Sequence, residues 1–172
     1  SMISSAAPRV FALGEENLLR YFTSLAQAIR LPLLVQDFNP GGPTVGASFA
    51  KRLKEAAPNF ACLKLEEPMM GDKLSAILDA TGGAVGVLEG WGGLYMLELI
   101  PTGICGVMPG VPLADLLDRV YRLRRAGQDD EAFDIFSAVV PYILFTLQNL
   151  ELFLHMDKKL LVARGLLRGA HV

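Results

Sequence analysis

The hydrophobic positions of the chain alternate between the period of a helix and the continuous run of a buried strand. Apolar residues recur at helical spacing between Leu18 and Ile29, after an acidic start at Glu15–Glu16 that suits the positive end of a helix dipole. Pro32 closes this segment. Leu33–Phe38 is then almost continuously apolar, which is typical of a parallel strand covered on both faces. The chain therefore opens with a helix followed by a buried strand.

The same alternation continues along the chain. The pattern predicts helices over Ser48–Ala57, Asp72–Ala80, Gly92–Ile100 and Ala114–Ala126, the last ending at Gly127 as a C-cap. It predicts strands over Phe60–Leu65, Ala84–Leu88 and Gly103–Met108. With Leu33–Phe38 these make four strands alternating with helices, so we expect an α/β fold with a parallel sheet.

The C-terminal part of the chain has a different pattern. From Asp129 onward the strand signal disappears, and two helices are predicted, roughly over Asp130–Gln148 and Leu150–Leu167. They have the pattern of an appended helical hairpin. We therefore divide the chain into a (β/α) region, residues 1–128, and a helical region, residues 129–172.

Glycine, proline and polar residues concentrate in the loops that follow the strands. These loops are Asn39–Gly46, Glu66–Asp72, Glu89–Gly93 and Pro109–Pro112. Loops at this end of the strands hold the active site in (β/α)8 barrels. Four (β/α) units are half of such a barrel and would leave open strand edges. The sequence leaves three alternatives open. The chain has lost the N-terminal half of a barrel, or two copies pair edge to edge into a barrel of eight strands, or the four strands form an open doubly wound sheet.

Composition narrows the classes of partner. The chain is 52% hydrophobic and 20% charged with a net charge of -2, which is typical of a soluble globular protein and gives no footprint for nucleic acid or a membrane surface. Cys62 and Cys105 lie in apolar runs and are interpreted as reduced thiols, which indicates a cytoplasmic protein. Ser1-Met2 is interpreted as the remnant of an expression tag, and no apolar stretch is long enough to span a membrane.

Three separated segments resemble strands of one enzyme family. Leu33–Pro40, Ala61–Glu67 and Gly103–Gly110 are similar, in order and spacing, to the fifth, sixth and eighth strands of the dihydrodipicolinate synthase and N-acetylneuraminate lyase family. Lys158-Lys159 and Arg164-Gly165 resemble the helical segment that follows the barrel in that family. The resemblance implies half of a TIM (β/α)8 barrel, strands 5–8, with a C-terminal helical hairpin, and a homo-oligomer.

The resemblance assigns the catalytic role to Lys64. In the family, a lysine that ends the sixth strand attacks the ketone of pyruvate or another 2-oxo acid and forms an imine that withdraws electrons. Lys64 occupies the matching position, and an amine must lose its proton before it can attack. The apolar neighbours Cys62, Leu63 and Leu65 favour the neutral amine. Judged without the resemblance, Lys64 is more often a solvated or salt-bridged residue, with Glu66 and Glu67 as available partners.

Two departures from the family pattern bear on the substrate. Gln36 stands where the family has a tyrosine that relays protons, and an amide cannot shuttle a proton as a phenol does. Asp37 is a candidate replacement as acid or base, and equally a residue that stabilises the turn after it. The family's carboxylate-binding arginine has no counterpart among residues 41–45. Lysine biosynthesis is therefore not the expected function.

Further site residues follow from position. Gly90 and Met108 match pocket-lining backbone positions of the family, and Glu66 and Trp91 stand beside them as candidate substrate contacts. A tryptophan after a strand is more often loop packing. No His, Cys, Asp or Glu residues have metal-ligand spacing, so we predict no metal and no cofactor.

The expected function is a Schiff-base lyase, either an aldolase or a hydro-lyase, that acts on pyruvate or another 2-oxo acid. The alternative is a degenerate or truncated barrel that binds a metabolite, or only self-assembles, without catalysis. Loss of the tyrosine and the arginine favours that alternative. The sequence leaves the substrate and the direction of the reaction open.

Overall fold

The computed structural model describes residues 1–8, 13–38 and 44–171. The strands are β1 (Ile3–Ala6), β2 (Leu33–Asp37), β3 (Phe60–Leu65), β4 (Gly86–Glu89) and β5 (Gly106–Val107). The helices are α1 (Glu15–Ala28), α2 (Ala47–Ala56), α3 (Gly71–Thr81), α4 (Met96–Thr102), α5 (Ala114–Arg125), α6 (Asp129–Thr146) and α7 (Leu150–Ala163), with a 3-10 turn at Val111–Leu113. Of the loop predicted over Asn39–Gly46, residues 39–43 lie outside the described residues.

All the strands form one parallel sheet in the order β1-β2-β3-β4-β5. Crossovers between parallel strands are right-handed, so a sheet that grows in one direction places its connecting helices on one face. A doubly wound sheet requires the strand order to reverse at a switch point. The doubly wound alternative is therefore wrong, and the α/β parallel sheet predicted from the sequence is confirmed.

The sequence pattern missed strand β1. Its residues, Ile-Ser-Ser-Ala, include one large apolar side chain, and that side chain is 37% exposed. The strand exists because it pairs with the edge of β2, with Ile3 beside Leu33 and Ala6 beside Gln36. A pairing partner far along the chain is not visible in a local pattern, and the prediction of four strands is corrected to five among the described residues.

The two faces of the sheet have different side chains. One face, here called the core face, packs against the helices through residues such as Leu33, Leu63 and Val87, each at most 1% exposed. Side chains alternate along a strand, so the intervening residues point the other way. We call this second side the opposite face; its members are Leu34, Gln36, Cys62, Lys64, Gly86 and Leu88, which the strand register places side by side.

The two C-terminal helices pack differently. Helix α6 contributes Ala132, Phe136, Val139 and Ile143 to the same hydrophobic core as the (β/α) units. Helix α7 has no fully buried residue and ends at Ala163, four residues before the predicted Leu167. None of the helices in residues 1–8, 13–38 and 44–171 has the length and apolarity needed to cross a membrane.

Candidate active site

Lys64 lies near the carboxyl end of β3 on the opposite face of the sheet. Its lateral neighbours in the sheet are Gln36 on β2 and Leu88 on β4. The strand places Lys64 there because its neighbours Leu63 and Leu65, both fully buried, anchor the core face. The Lys64 side chain is 13% exposed, so its amine is largely shielded and still reachable from solvent.

The amine of Lys64 is paired with a carboxylate. Its Nζ lies 2.8 Å from Oε1 of Glu66, whose side chain is 8% exposed. The amide Nε2 of Gln36 donates a hydrogen bond to the same Glu66 oxygen. Three residues singled out from the sequence are thus brought into one cluster, with Glu66 at its centre.

The pairing of Lys64 with Glu66 permits proton transfer between the two groups. A carboxylate within hydrogen-bond distance of an ammonium can accept its proton and later return it, which is the geometry that general acid–base catalysis requires. Burial strengthens the electrostatic interaction between the two groups. The hydrogen bond from the Gln36 amide orients the Glu66 carboxylate. Gln36 itself cannot act as the acid or base, because a glutamine amide donates a hydrogen bond but does not exchange its proton in this role.

Gly90 leaves the space that Lys64 and Glu66 occupy. A Cβ atom at Gly90 would lie 2.6 Å from Lys64 Cε, 2.6 Å from Glu66 Cγ and 2.8 Å from the backbone oxygen of Leu65. The Gly90 amide also donates a 2.8 Å hydrogen bond to that Leu65 oxygen. The start of the β4–α4 loop therefore runs directly against the lysine, and any side chain at position 90 would displace the cluster.

Asp37 lies on the other side of the sheet from Lys64. It is 2% exposed, accepts a 3.1 Å hydrogen bond from the Val45 amide and pairs with Lys73 at 3.2 Å. Lys73 also pairs with Glu67 at 2.8 Å. Burial raises the pKa of Asp37, and the charge of Lys73 partly offsets that rise.

The alternative offered for Asp37 from the sequence is the one this geometry favours. Gln36 is the neighbour of Lys64 in the sheet, and Asp37, one residue later, points to the other face because side chains alternate along a strand. The Asp37 carboxylate is therefore not directed toward the Lys64 amine. Its hydrogen bond to Val45 instead ties the end of β2 to the segment just before α2. Asp37 is correspondingly a residue that stabilises this connection.

Glu89, at the end of β4, is a polar residue of this region to which the sequence assigned no role. It is fully buried, and its two carboxylate oxygens accept hydrogen bonds from the amides of Trp91 at 3.0 Å and Gly93 at 2.8 Å. Burial raises the pKa of Glu89 to about 7, while these amide bonds oppose the rise. The signal in the sequence was an acidic residue at the end of an apolar strand, before a glycine-rich loop.

Trp91 and Met108 occupy the same end of the sheet as Lys64. The Trp91 side chain is partly buried against the hydrophobic core, as loop packing would require. Met108 is 41% exposed, and its amide donates a 2.9 Å hydrogen bond to the backbone oxygen of Glu89. Among the described residues, no group of three or more His, Cys, Asp and Glu side chains is arranged to hold a metal ion.

Comparison with known proteins adds independent information. No family model matches the chain. An L-2-keto-3-deoxyarabonate dehydratase of Azospirillum brasilense is 26% identical over 134 residues, which are 77% of this chain and 43% of that protein. The sequence similarity is therefore confined to part of a longer enzyme.

Solved structures match almost the whole chain. A dihydrodipicolinate synthase from Rhodopseudomonas palustris has a TM-score of 0.89 and 25% identity, covering 99% of this chain and 58% of that one. A prophage protein of the dihydrodipicolinic acid synthase family from E. coli K12, solved in complex with pyruvate, has a TM-score of 0.83 and 17% identity, covering 98% and 58%.

The chain thus spans little more than half of the length of the structures it matches. The three segments that resemble the family in sequence all contribute strands to the same sheet. The fold that contains this sheet matches the synthase structure over 99% of the chain. The chain is thus similar in sequence to part of a keto-sugar-acid dehydratase and similar in fold to part of a dihydrodipicolinate synthase.

Proposed function

We propose that Lys64 is the Schiff-base lysine of a lyase, an aldolase or a hydro-lyase, that acts on pyruvate or another 2-oxo acid. The observation that carries the proposal is the shielded Lys64 amine at the carboxyl end of β3, 2.8 Å from Glu66. The comparisons support it at family level, because one relative is named a keto-sugar-acid dehydratase and one similar structure holds pyruvate.

The proposed reaction starts with a proton transfer. Glu66 accepts a proton from the Lys64 ammonium, and the nitrogen lone pair then attacks the carbonyl carbon of the 2-oxo acid. The resulting carbinolamine loses its hydroxyl group as water, taking up a proton, and leaves a protonated imine. This imine draws electrons from the adjacent carbon, which permits C–C cleavage or loss of a hydroxyl group.

Glu66 replaces, in this proposal, part of what a tyrosine does in relatives that have the family's usual motif. It is the group nearest the amine that can both accept and return a proton. Gln36 orients it through the hydrogen bond between its amide and the carboxylate. Gly90 leaves room for the side chains of Lys64 and Glu66, and Met108, exposed at the same end of the sheet, lines the approach of substrate.

The proposal extends to the assembly of the fold. We infer that β2 to β5 correspond to strands 5–8 of a (β/α)8 barrel, which is half of the barrel, with residues 129–172 as the helices appended to it. The sequential order of parallel strands supports this correspondence. A homo-oligomer and a cytoplasmic location remain predictions from the sequence and from the resemblance.

Reductive trapping tests the lysine. Incubation with pyruvate and borohydride should attach a reduced adduct to the peptide that contains Lys64, as identified by mass spectrometry. Lys64→Arg, which keeps the positive charge beside Glu66, should give no adduct. Lys73→Arg is the matched control, because Lys73 pairs with Asp37 and Glu67 away from the cluster, and it should be labelled like the wild type. Adduct retained in Lys64→Arg would show that another amine reacts.

A second function is favoured by one observation. Gln36 stands in place of the tyrosine and is hydrogen-bonded to the carboxylate that pairs with Lys64, an arrangement that a purely structural ion pair would also have. In that case the chain binds a metabolite or only self-assembles, without turnover. Exchange of the pyruvate methyl protons for deuterium in D2O would exclude this reading, and binding without exchange would support it.

A further inference from the structure

Two thiols converge above a glycine on the opposite face of the sheet. Cys62 on β3 is the lateral neighbour of Gly86 on β4. Cys105 directly precedes β5, and its amide donates a 2.9 Å hydrogen bond to the backbone oxygen of Val87. A Cβ atom at Gly86 would lie 3.3 Å from the Cys62 sulfur and 2.8 Å from the Cys105 sulfur. Only a residue without a side chain lets the two sulfur atoms meet there.

The two thiols are free and interact with each other. The Cys105 thiol donates a hydrogen bond to the Cys62 sulfur, which lowers the pKa of Cys62 to about 7 despite its partial burial, and the charge of Lys54 contributes in the same direction. The same hydrogen bond raises the pKa of Cys105.

The spacing of the strands disfavours a disulfide between them. Strand β4 lies between β3 and β5, and adjacent strands are about 4.8 Å apart, so the flanking backbones are separated by roughly 9.5 Å. A disulfide requires the two Cα atoms to lie within about 7 Å of each other. The sulfur atoms can therefore meet in a hydrogen bond but cannot bond covalently unless the backbone moves.

We propose that Cys62 and Cys105 form a two-thiolate site for a soft monovalent cation, with Cu(I) as the metal that fits. Thiolate sulfur selects soft cations such as Cu(I). Among the described residues no third His, Cys, Asp or Glu joins the pair, so the site offers the two ligands of a linear complex. Binding displaces the Cys105 proton to solvent and leaves two thiolates around one cation.

The thiol site is separate from the lysine chemistry. Cys62 precedes Lys64 by two residues on the same face, which is roughly 6.6 Å along the strand. It lies toward the amino end of β3, away from the loops that approach Lys64. The metal-binding proposal therefore does not depend on the proposed lyase function, and it is tested by a binding measurement alone.

The test is anaerobic titration of the reduced chain with Cu(I), in competition with a chromogenic Cu(I) chelator. These are the only two cysteines in the sequence, so each variant leaves a single thiol. The wild type should bind one equivalent. Cys62→Ser and Cys105→Ser should each bind about 100-fold more weakly or worse, because the second ligand no longer binds intramolecularly. Circular dichroism of each variant verifies that the fold is retained.

Gly86→Ala provides an independent check, because its methyl group would separate the two sulfur atoms while both thiols remain. It should weaken Cu(I) binding while the circular dichroism spectrum stays that of a folded chain. Wild-type affinity in either serine variant would overturn the proposal. So would rapid formation of an intramolecular disulfide with diamide, because it would place the two backbones closer than the strand order allows.

Discussion

At the residue scale, the parity of positions along β3 decides which charged groups can act together. Lys64 and Glu66 share the opposite face, whereas Glu67 turns toward Lys73 and Asp37. Two adjacent glutamates therefore belong to two separate ion-pair systems. This gives an experiment in which the same substitution one residue apart has different expected outcomes.

Glu66→Gln should slow Schiff-base formation with pyruvate by about 100-fold or more, because the amide cannot accept the proton of Lys64. Glu67→Gln should leave the rate within a factor of a few of the wild type, since Glu67 contacts Lys73. The rate is measured by borohydride trapping at timed intervals. Equal rates in the two variants would remove Glu66 from the proposed mechanism.

Glu89 predicts a pH dependence of stability. Its pKa in the folded state, about 7, lies above the ordinary value of 4.5, so the fold favours the protonated form. The stabilisation is fully present below about pH 4.5 and is lost as the pH rises through about 7. It amounts to a few kcal/mol at most, since one pKa unit corresponds to about 1.4 kcal/mol.

Glu89→Gln should remove this part of the pH dependence, because an amide does not titrate. It should also lower the free energy of unfolding by about 1–3 kcal/mol at low pH. The reason is that the glutamine NH2 group cannot accept a hydrogen bond, so one of the two backbone N–H groups that Glu89 binds loses its acceptor. Urea denaturation at several pH values measures both effects. An unchanged slope between pH 4.5 and 7 would contradict the assignment.

At the scale of elements, two sets of contacts fix the β4–α4 loop at the end of the sheet. Gly90 packs on Lys64 and Glu66, and Glu89 binds the amides that follow. The position of the loop therefore depends on two features, the absence of a side chain at Gly90 and the buried carboxyl group of Glu89. Substitution of glycine by alanine should have opposite effects here and in a helix.

Gly90→Ala should destabilise the fold by about 1–3 kcal/mol, because the new methyl group meets the backbone oxygen of Leu65 at 2.8 Å. Gly71→Ala, at the start of α3, should stabilise by about 0.5–1 kcal/mol, since its methyl group has ordinary contact with Leu99 and alanine favours helix. Thermal denaturation of the two variants compares them. A stabilised Gly90→Ala variant would refute the close approach.

At the scale of the whole molecule, α6 joins the (β/α) units in one core. Phe136 is 8% exposed and belongs to that core, whereas Phe133 on the same helix is 60% exposed. A boundary at residue 128 separates types of secondary structure and does not separate hydrophobic cores. We therefore expect α6 to unfold together with the sheet.

Phe136→Ala should lower the free energy of unfolding by about 3 kcal/mol or more, and should lower the midpoint of the single transition of the chain. Phe133→Ala, the matched change on the exposed side of α6, should alter stability by less than about 0.5 kcal/mol. Denaturation followed by circular dichroism and by Trp91 fluorescence reports on helices and on the β4–α4 loop. Two separate transitions would instead indicate that the C-terminal helices fold alone.

The local pattern of the sequence determined most elements of the fold. Helices α1 to α7 and strands β2 to β5 follow from apolar periodicity, because burial on one side of a helix or on both sides of a strand leaves a repeating signal. The pattern placed Lys64 at a strand end, and only the resemblance to the family indicated a catalytic role for it. Strand β1 left no such signal, because an exposed edge strand is stabilised by pairing with a distant segment.

Tertiary structure alone decided which chemical groups meet. Strand register brought Gln36, Lys64 and Glu66 into one cluster, turned Asp37 to the core face, and joined Cys62 to Cys105 above Gly86. The sequence supplied these groups together with the order of the elements. Their proximity depends on the alignment of strands far apart in the chain, and a shift of one residue in that alignment would exchange the two faces.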